Sequence, residues 1–181
     1  MAPLKPYFLK TAQPPAQNLA SCQKCIRAGG KHNDLDEVGY TDRHHTFFQM
    51  LGNFSFGGYK RKQAIEYAWE FLTTQLQISP RNLWVTVHPN DTVSQQAWHN
   101  ISNFAQSNTT LLYENEWSAG EVGPWGLCTE IFYNHNTNNT DTEKMVEVWN
   151  IVSLTHYCDQ TGKHLLPVEC IDTGMGLERI E

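Results

Sequence analysis

The stretch Cys170-Ile171-Asp172-Thr173-Gly174-Met175-Gly176-Leu177-Glu178-Arg179 constrains the fold most. An apolar, β-branched approach reaches Asp172 and Thr173. Two glycines follow at alternate positions, and Glu178 and Arg179 close the run. The pattern predicts a strand that ends in a glycine turn and feeds a helix, with Asp172 or Thr173 as N-cap. Glycines there let a ligand or another strand come close. The run could hold an amine at Asp172 and an anionic or planar group at Arg179. Short glycine patterns recur by chance, so spacing alone favours a plain turn with a surface arginine.

A chain of 181 residues, 40% hydrophobic and 12% aromatic, is the size of one domain with a real core. A mean hydropathy of -0.51 and the lack of a long apolar run exclude a membrane-spanning helix. A net charge of -6 excludes non-specific nucleic-acid binding through bulk charge and leaves a local basic patch open. Cys22, Cys25, Cys128, Cys158 and Cys170 lack framework spacing and predict free thiols; the CxxC at Cys22 has no second pair to complete a zinc site. Sequons at Asn53, Asn90, Asn100, Asn108 and Asn138 would matter only in a secreted chain. Residues Met1 to Lys10 show neither an apolar signal core nor an arginine-rich transit pattern.

The proline-rich start, to Gln17, predicts an extended or irregular segment, although Leu4, Tyr7, Phe8 and Leu9 need a surface to cover them. Ala20 to Arg27 and Arg43 to Leu51 predict two antiparallel strands, with His44 and His45 on opposite faces. The long polar loop between them carries Lys31, His32 and Asp34. Tyr59 to Gln77 predicts a helix with Ala64, Ile65, Ala68, Trp69, Leu72 and Leu76 inward. Leu83 to Val87 predicts a short strand. Asp91 or Thr92 would cap a helix to about Gln106, with Ala97, Ile101 and Phe104 inward. Leu111 to Tyr113 and Leu127 to Tyr133 predict strands, the second entered through a tight Glu121–Gly126 turn; Asn134 to Thr142 is a polar loop. In the β-prone run Met145–Val152, alternation puts Glu147, Trp149 and Ile151 on one face and Val148, Asn150 and Val152 on the other. An Asn between valines is costly unless hydrogen-bonded, so Asn150 calls for a partner or a ligand. His164 to Ile171 predicts the last strand.

Two groups of residues resemble one family. Cys25-Ile26-Arg27-Ala28-Gly29-Gly30-Lys31-His32-Asn33-Asp34-Leu35, with His44-His45-Thr46-Phe47-Phe48 and Met50-Leu51-Gly52-Asn53-Phe54-Ser55-Phe56-Gly57, is similar to motif 2 of the alanyl-tRNA synthetases, about residues 22–57. Val148-Trp149-Asn150-Ile151-Val152 resembles the family's alanine-site strand, and Asp172 to Arg179 its motif 3, about residues 168–181. Order and gaps agree across essentially residues 1–181, taken as a partial catalytic domain. The resemblance implies an α+β class II synthetase fold, an antiparallel sheet flanked by helices. It implies that alanine and ATP form alanyl-adenylate and pyrophosphate, followed by transfer to tRNA(Ala). Carried over residue by residue, Arg27 would meet the α-phosphate and Arg179 the adenine, both as catalytic groups. His45, Trp117, Val148, Trp149, Asn150 and Gly176 would complete the ATP site, and Asn150 and Asp172 would hold the alanine amine. Lys31 would face phosphate or the tRNA end. Magnesium would ride on the ATP phosphates, with Glu130 and Glu147 as candidate oxygen ligands.

The departures from the family carry expectations too. The family begins earlier, with a helix and motif 1, which predicts an incomplete sheet here. An unpaired edge would favour association, in the simplest form a homodimer. Gln49 stands where the family has Glu, removing a charge that could orient substrate groups. The segments 120–128 and 153–159 differ from the family pattern and alter the wall near the aminoacyl site. These readings leave a cytoplasmic or mitochondrial ligase-type chain as the first hypothesis. A truncated, catalytically inactive paralogue that binds ATP, alanine or a protein partner is the second, and a secreted glycosylated module a distant third.

Overall fold

The computed structural model describes residues 2–28, 37–41, 43–101 and 106–181. Lys31, His32, Asp34 and Phe104 lie outside them. The described elements are α1 (Lys5–Phe8), β1 (Asn18–Ile26), β2 (Phe47–Ser55), α2 (Arg61–Glu70), β3 (Leu83–Val87), α3 (Thr92–His99), β4 (Thr109–Leu111), β5 (Glu116–Ser118), β6 (Gly123–Tyr133), β7 (Val146–Asp159), β8 (Gly162–Gly176) and α4 (Leu177–Ile180). The strands form one sheet in the order β1-β2-β8-β7-β6-β3-β4, with β5 paired to β6. All pairings are antiparallel except β3 with β4. This is the expected α+β architecture, a mostly antiparallel sheet with a few helices. No described helix is long and apolar enough to cross a membrane. All five cysteines are free of disulfides.

The two faces of the sheet have different cores. On one, Ile65 and Ala68 from α2, Leu72 from the turn that follows it, and Ala97 and Trp98 from α3 pack on Val85, Val87, Ile131, Trp149, Ile151, Ile171 and Met175. On the other, Phe54, Cys128, Val152, Leu154 and Cys170 are covered at one end by Phe8 of α1, and the rest of that face opens as a cleft. The N-terminal segment is therefore not irregular throughout. Pro6 sits in the first turn of α1, where its missing N–H costs nothing, and the turn delivers a fully buried Phe8 against the Phe54 and Phe56 rings.

Several boundaries move for physical reasons. The second strand begins at Phe47, because residues before it turn back: Gly39 N–H donates to the His44 carbonyl, and Thr41 caps His44. His44 and His45 are thus not strand neighbours on opposite faces; both line one pocket. The long helix ends early as α, becomes a π-turn over Phe71–Gln75, and stops at Gln77, whose φ of 55° is left-handed. Leu76 is consequently exposed. Asp91 caps α3 through Ser94 N–H, but the helix ends at His99 rather than near Gln106. The predicted Leu111–Tyr113 strand lies instead at Thr109–Leu111. The expected turn before Leu127 is strand from Gly123 onward; a Cβ on Gly126 would fall 1.9 Å from the Ser153 carbonyl, so only glycine lets β7 pair there. The glycines after Asp172 also form no turn. Gly174 pairs with Asn150 on one side and Gly52 on the other, so β8 runs to Gly176 and no side chain caps α4. Neither Asp172 nor Thr173 is an N-cap.

Strict alternation along β7 fails at its start. Ile131 pairs with Trp149 but Phe132 with Glu147, a bulge that inserts Val148. Glu147 therefore joins Asn150 on the cleft, while Val148 joins Trp149 and Ile151 in the helix-side core.

Candidate functional site

A row of residues crosses five strands in register: Thr86, Glu130, Asn150, Gly174 and Gly52. The next row toward α1 holds Val152, Asp172 and Phe54. Three polar side chains followed by two glycines leave a trough at the middle of the sheet. Its cavity, about 610 Å³, is lined by Arg27, Trp117, Glu130, Glu147, Asn150 and Asp172 among others. A smaller pocket adjoins it, sharing Arg27, Met50, Glu147 and Gly174, and adds His45, Phe48, Val148, Gly176 and Arg179. Arg27, Asn150 and Asp172 thus line the larger cavity, and Arg27 and Arg179 the smaller pocket beside it.

The electrostatics of the trough follow from burial. Asp172 is 9% exposed, and burial lifts its carboxyl to about 7. Glu130 rises to about 7 through burial and the nearby Glu147, against hydrogen bonds from Thr86 and Asn115. Thr86 Oγ1 donates to Glu130 Oε2 at 3.0 Å, Asn115 Nδ2 to the same oxygen at 3.5 Å, and Asn150 Nδ2 to Oε1 at 3.4 Å. Glu130 is the hub of a polar floor, and the Oδ1 atoms of Asn115 and Asn150 are buried without partners. Asn150 finds the hydrogen-bond partner its cost demanded, on one side only.

Arg27 follows β1, its N–H tied to the Thr46 carbonyl at 2.8 Å. Arg179 donates from Nη2 and Nε to the Arg43 carbonyl, at 2.7 and 3.2 Å, and from Nη1 to the carbonyl of Glu147 at 2.8 Å and its Oε2 at 3.3 Å. Its guanidinium plane is fixed, one edge of a wall around the small pocket. Phe48 lines that pocket, whereas Phe47 is exposed.

The expected site residue Trp149 lies elsewhere, and so does the side chain of Gln49. The Trp149 indole is on the helix-side face, edge-on to Phe71 at 5.8 Å, because it alternates with Asn150. The Gln49 amide also points away from the cleft, toward Cys22, because Phe48 and Met50 take the cleft side. Glu in place of Gln49 would put its charge on the sheet's other face. Glu178, which the sequence reading left without a role, accepts the Gln49 N–H at both carboxylate oxygens, 2.9 and 3.0 Å, completing the ladder past the end of β8. Asn115 was missed as well. Its only sequence signal is an amide between Glu114 and Glu116, and nothing local says that it is 2% exposed. Among the described residues no group of three or more His, Cys, Asp or Glu could hold a metal ion.

Comparison with known proteins adds three findings. The family model for class II (A) tRNA synthetases matches residues 1–181. Alanine–tRNA ligases of Wolbachia pipientis wMel and Nitrosospira multiformis are each 47% identical over 99% of this chain, covering 21% and 22% of those proteins. That of Legionella pneumophila (strain Paris) is 46% identical over 99% of this chain and 22% of its own length. The chain spans about a fifth of the length of these relatives.

Proposed function

Because this chain belongs to the class II (A) tRNA synthetases, we propose that its cleft binds alanine and ATP side by side and joins them. An alanine carboxylate oxygen attacks the α-phosphorus of ATP, the bond to the β-phosphate oxygen breaks, and pyrophosphate leaves. The product, alanyl-adenylate, is the form in which alanine would pass to tRNA(Ala). The observation that carries the reading is the gathering of Arg27, Asn150 and Asp172 around one cavity, with Arg179 on the pocket that opens from it.

Each group has a physical task. Asp172 is a buried carboxyl whose ionised form lacks compensation, and an alanine ammonium supplies it. Asn150, beside it on β7, adds a neutral polar contact. Arg27 offers a bidentate donor to the α-phosphate, where negative charge builds at the transition state. Arg179, His45, Phe48, Val148 and Gly176 surround the small pocket, suited to the planar purine. Trp117 closes the wall of the larger cavity. ATP enters as its magnesium complex, a substrate. Glu130 and Glu147 stand on the cleft wall, and their mutual repulsion is what a divalent cation on the phosphates would relieve.

The test is alanine-dependent ATP–pyrophosphate exchange by the 181-residue chain. Exchange that disappears in Arg27→Ala and in Asp172→Asn supports the reading. If exchange is absent while alanine or ATP still raises Tm, the chain binds without activating. No exchange and no ligand-induced rise in Tm would overturn the proposal.

A further inference from the structure

The small pocket is held together by a ring of bonds that no motif predicts. It joins three segments distant in the chain: the approach to β2, the approach to β7, and α4. Arg43 belongs to the first. Its Nη1 donates to the Glu143 carbonyl at 2.6 Å and to the Met145 carbonyl at 3.1 Å, in the second. Its own carbonyl accepts both bonds from Arg179, in α4. Arg179 in turn reaches Glu147 at the start of β7, and Glu178 beside it holds Gln49 in β2. The main chain and the side chain of Arg43 therefore each anchor a different segment of this ring.

We infer that Arg43 is the positioning residue of the nucleotide pocket, acting through Arg179 and through the Glu143–Met145 strand approach rather than on the nucleotide itself. The inference rests on the reading of this pocket as the purine end of an ATP site. Arg43 lines this pocket, but its Nη1 is committed to two backbone carbonyls, so the pocket gains shape from it. With the Glu143–Met145 approach tied to Arg43, the Arg43 carbonyl stays where Arg179 can donate two bonds to it. The Arg179 plane is then fixed before ligand arrives, which spares the ordering cost on binding. Asp172 and Asn150 in the larger trough take part in none of these bonds, since they sit within the central ladder of β7 and β8. The consequence is a split: loss of the Arg43 side chain harms ATP binding and spares alanine binding.

The experiment measures ATP and alanine dissociation constants separately on the wild-type chain, Arg43→Ala and Arg43→Lys. Arg43→Ala is expected to weaken ATP by about tenfold, what losing one charge-assisted hydrogen bond entails, with the alanine constant within about twofold. Both side-chain bonds start from one nitrogen, so a lysine can make either, and Arg43→Lys is expected to recover most of the ATP affinity. An Arg43→Ala chain that binds ATP like wild type overturns the inference. So does one that loses ATP and alanine alike with a lowered Tm, which marks a merely structural residue. A wild-type chain that fails to bind ATP fails differently, since it removes the nucleotide reading beneath.

Discussion

Asn150 and Glu130 face each other directly across the β6–β7 ladder, and the asparagine amide donates to Glu130 Oε1 at 3.4 Å. The strand asparagine is thereby tied to a carboxylate that already accepts from Thr86 and Asn115. Asn150→Ala should cost about 1 kcal/mol of stability, the net contribution of one such bond, and should weaken alanine binding. Asn150→Asp places a second carboxylate opposite Glu130, so its loss of stability should deepen as pH rises above neutrality. Melting curves across pH with an alanine titration check both, and an Asn150→Asp deficit independent of pH would contradict the pairing.

The buried carboxyls predict how stability depends on pH. Asp172 and Glu130, each at about 7, hold a proton in the fold that the unfolded chain releases near its ordinary 3.8 or 4.5. A raised folded pKa means stability is full below the unfolded value and is lost as pH climbs to the folded one. The ligand-free chain should therefore lose stability between about pH 4 and pH 7 through these two groups. Asp172→Asn removes its share and should stabilise the chain at pH 8 by on the order of 1–3 kcal/mol, while abolishing alanine binding. Denaturant titrations at pH 5 and pH 8 decide it; an Asp172→Asn variant less stable than wild type at pH 8 would refute the assignment.

Trp149 separates packing from binding. Its indole is 6% exposed in the helix-side core, and its Nε1 is buried without a partner. Trp149→Phe removes that unpaired donor along with some area, so the stability change should stay within about 1 kcal/mol. ATP and alanine affinities should be unchanged. Trp149→Ala should cost about 3–5 kcal/mol by leaving a cavity. A binding defect in Trp149→Phe of a size not explained by unfolding would place the ring on the site after all.

Away from the cleft, Arg61 at the start of α2 bonds Asp91 at 2.7 Å and Glu169 at 2.9 Å, and Ser153 donates to Glu169 at 2.6 Å. Burial works against ionised Glu169, but the hydrogen bonds from Ser153 and Arg61 and the Arg61 charge hold its pKa below the ordinary value. Arg61→Leu strands two carboxylates, one of them the cap of α3, and should cost about 3–5 kcal/mol at pH 7. A lowered carboxyl stabilises above its unfolded pKa and stops doing so as pH falls through the folded one. The deficit of Arg61→Leu should thus shrink in acid, as urea titrations at pH 7 and pH 4 would show.

Much of this protein was legible before any coordinates. Short β-prone runs predicted strands at Leu83–Val87 and through Val152, the three- and four-residue steps predicted the buried face of α2, and Asp91 announced the start of α3. The common cleft of Arg27, Asn150, Asp172 and Arg179 came from resemblance, since nothing local says that residues so distant meet. Local chemistry sets the period of a strand and the start of a helix because those depend on neighbours within a turn or two. It does not say where Glu147 points, because the bulge that turns it into the cleft belongs to the pairing of two strands. Nor does it say that Gly174 stays in the sheet, that Gln49 faces away from the site, or that Asn115 is buried beneath it. Those were decided by which backbones came together, and only the folded chain brings them within reach.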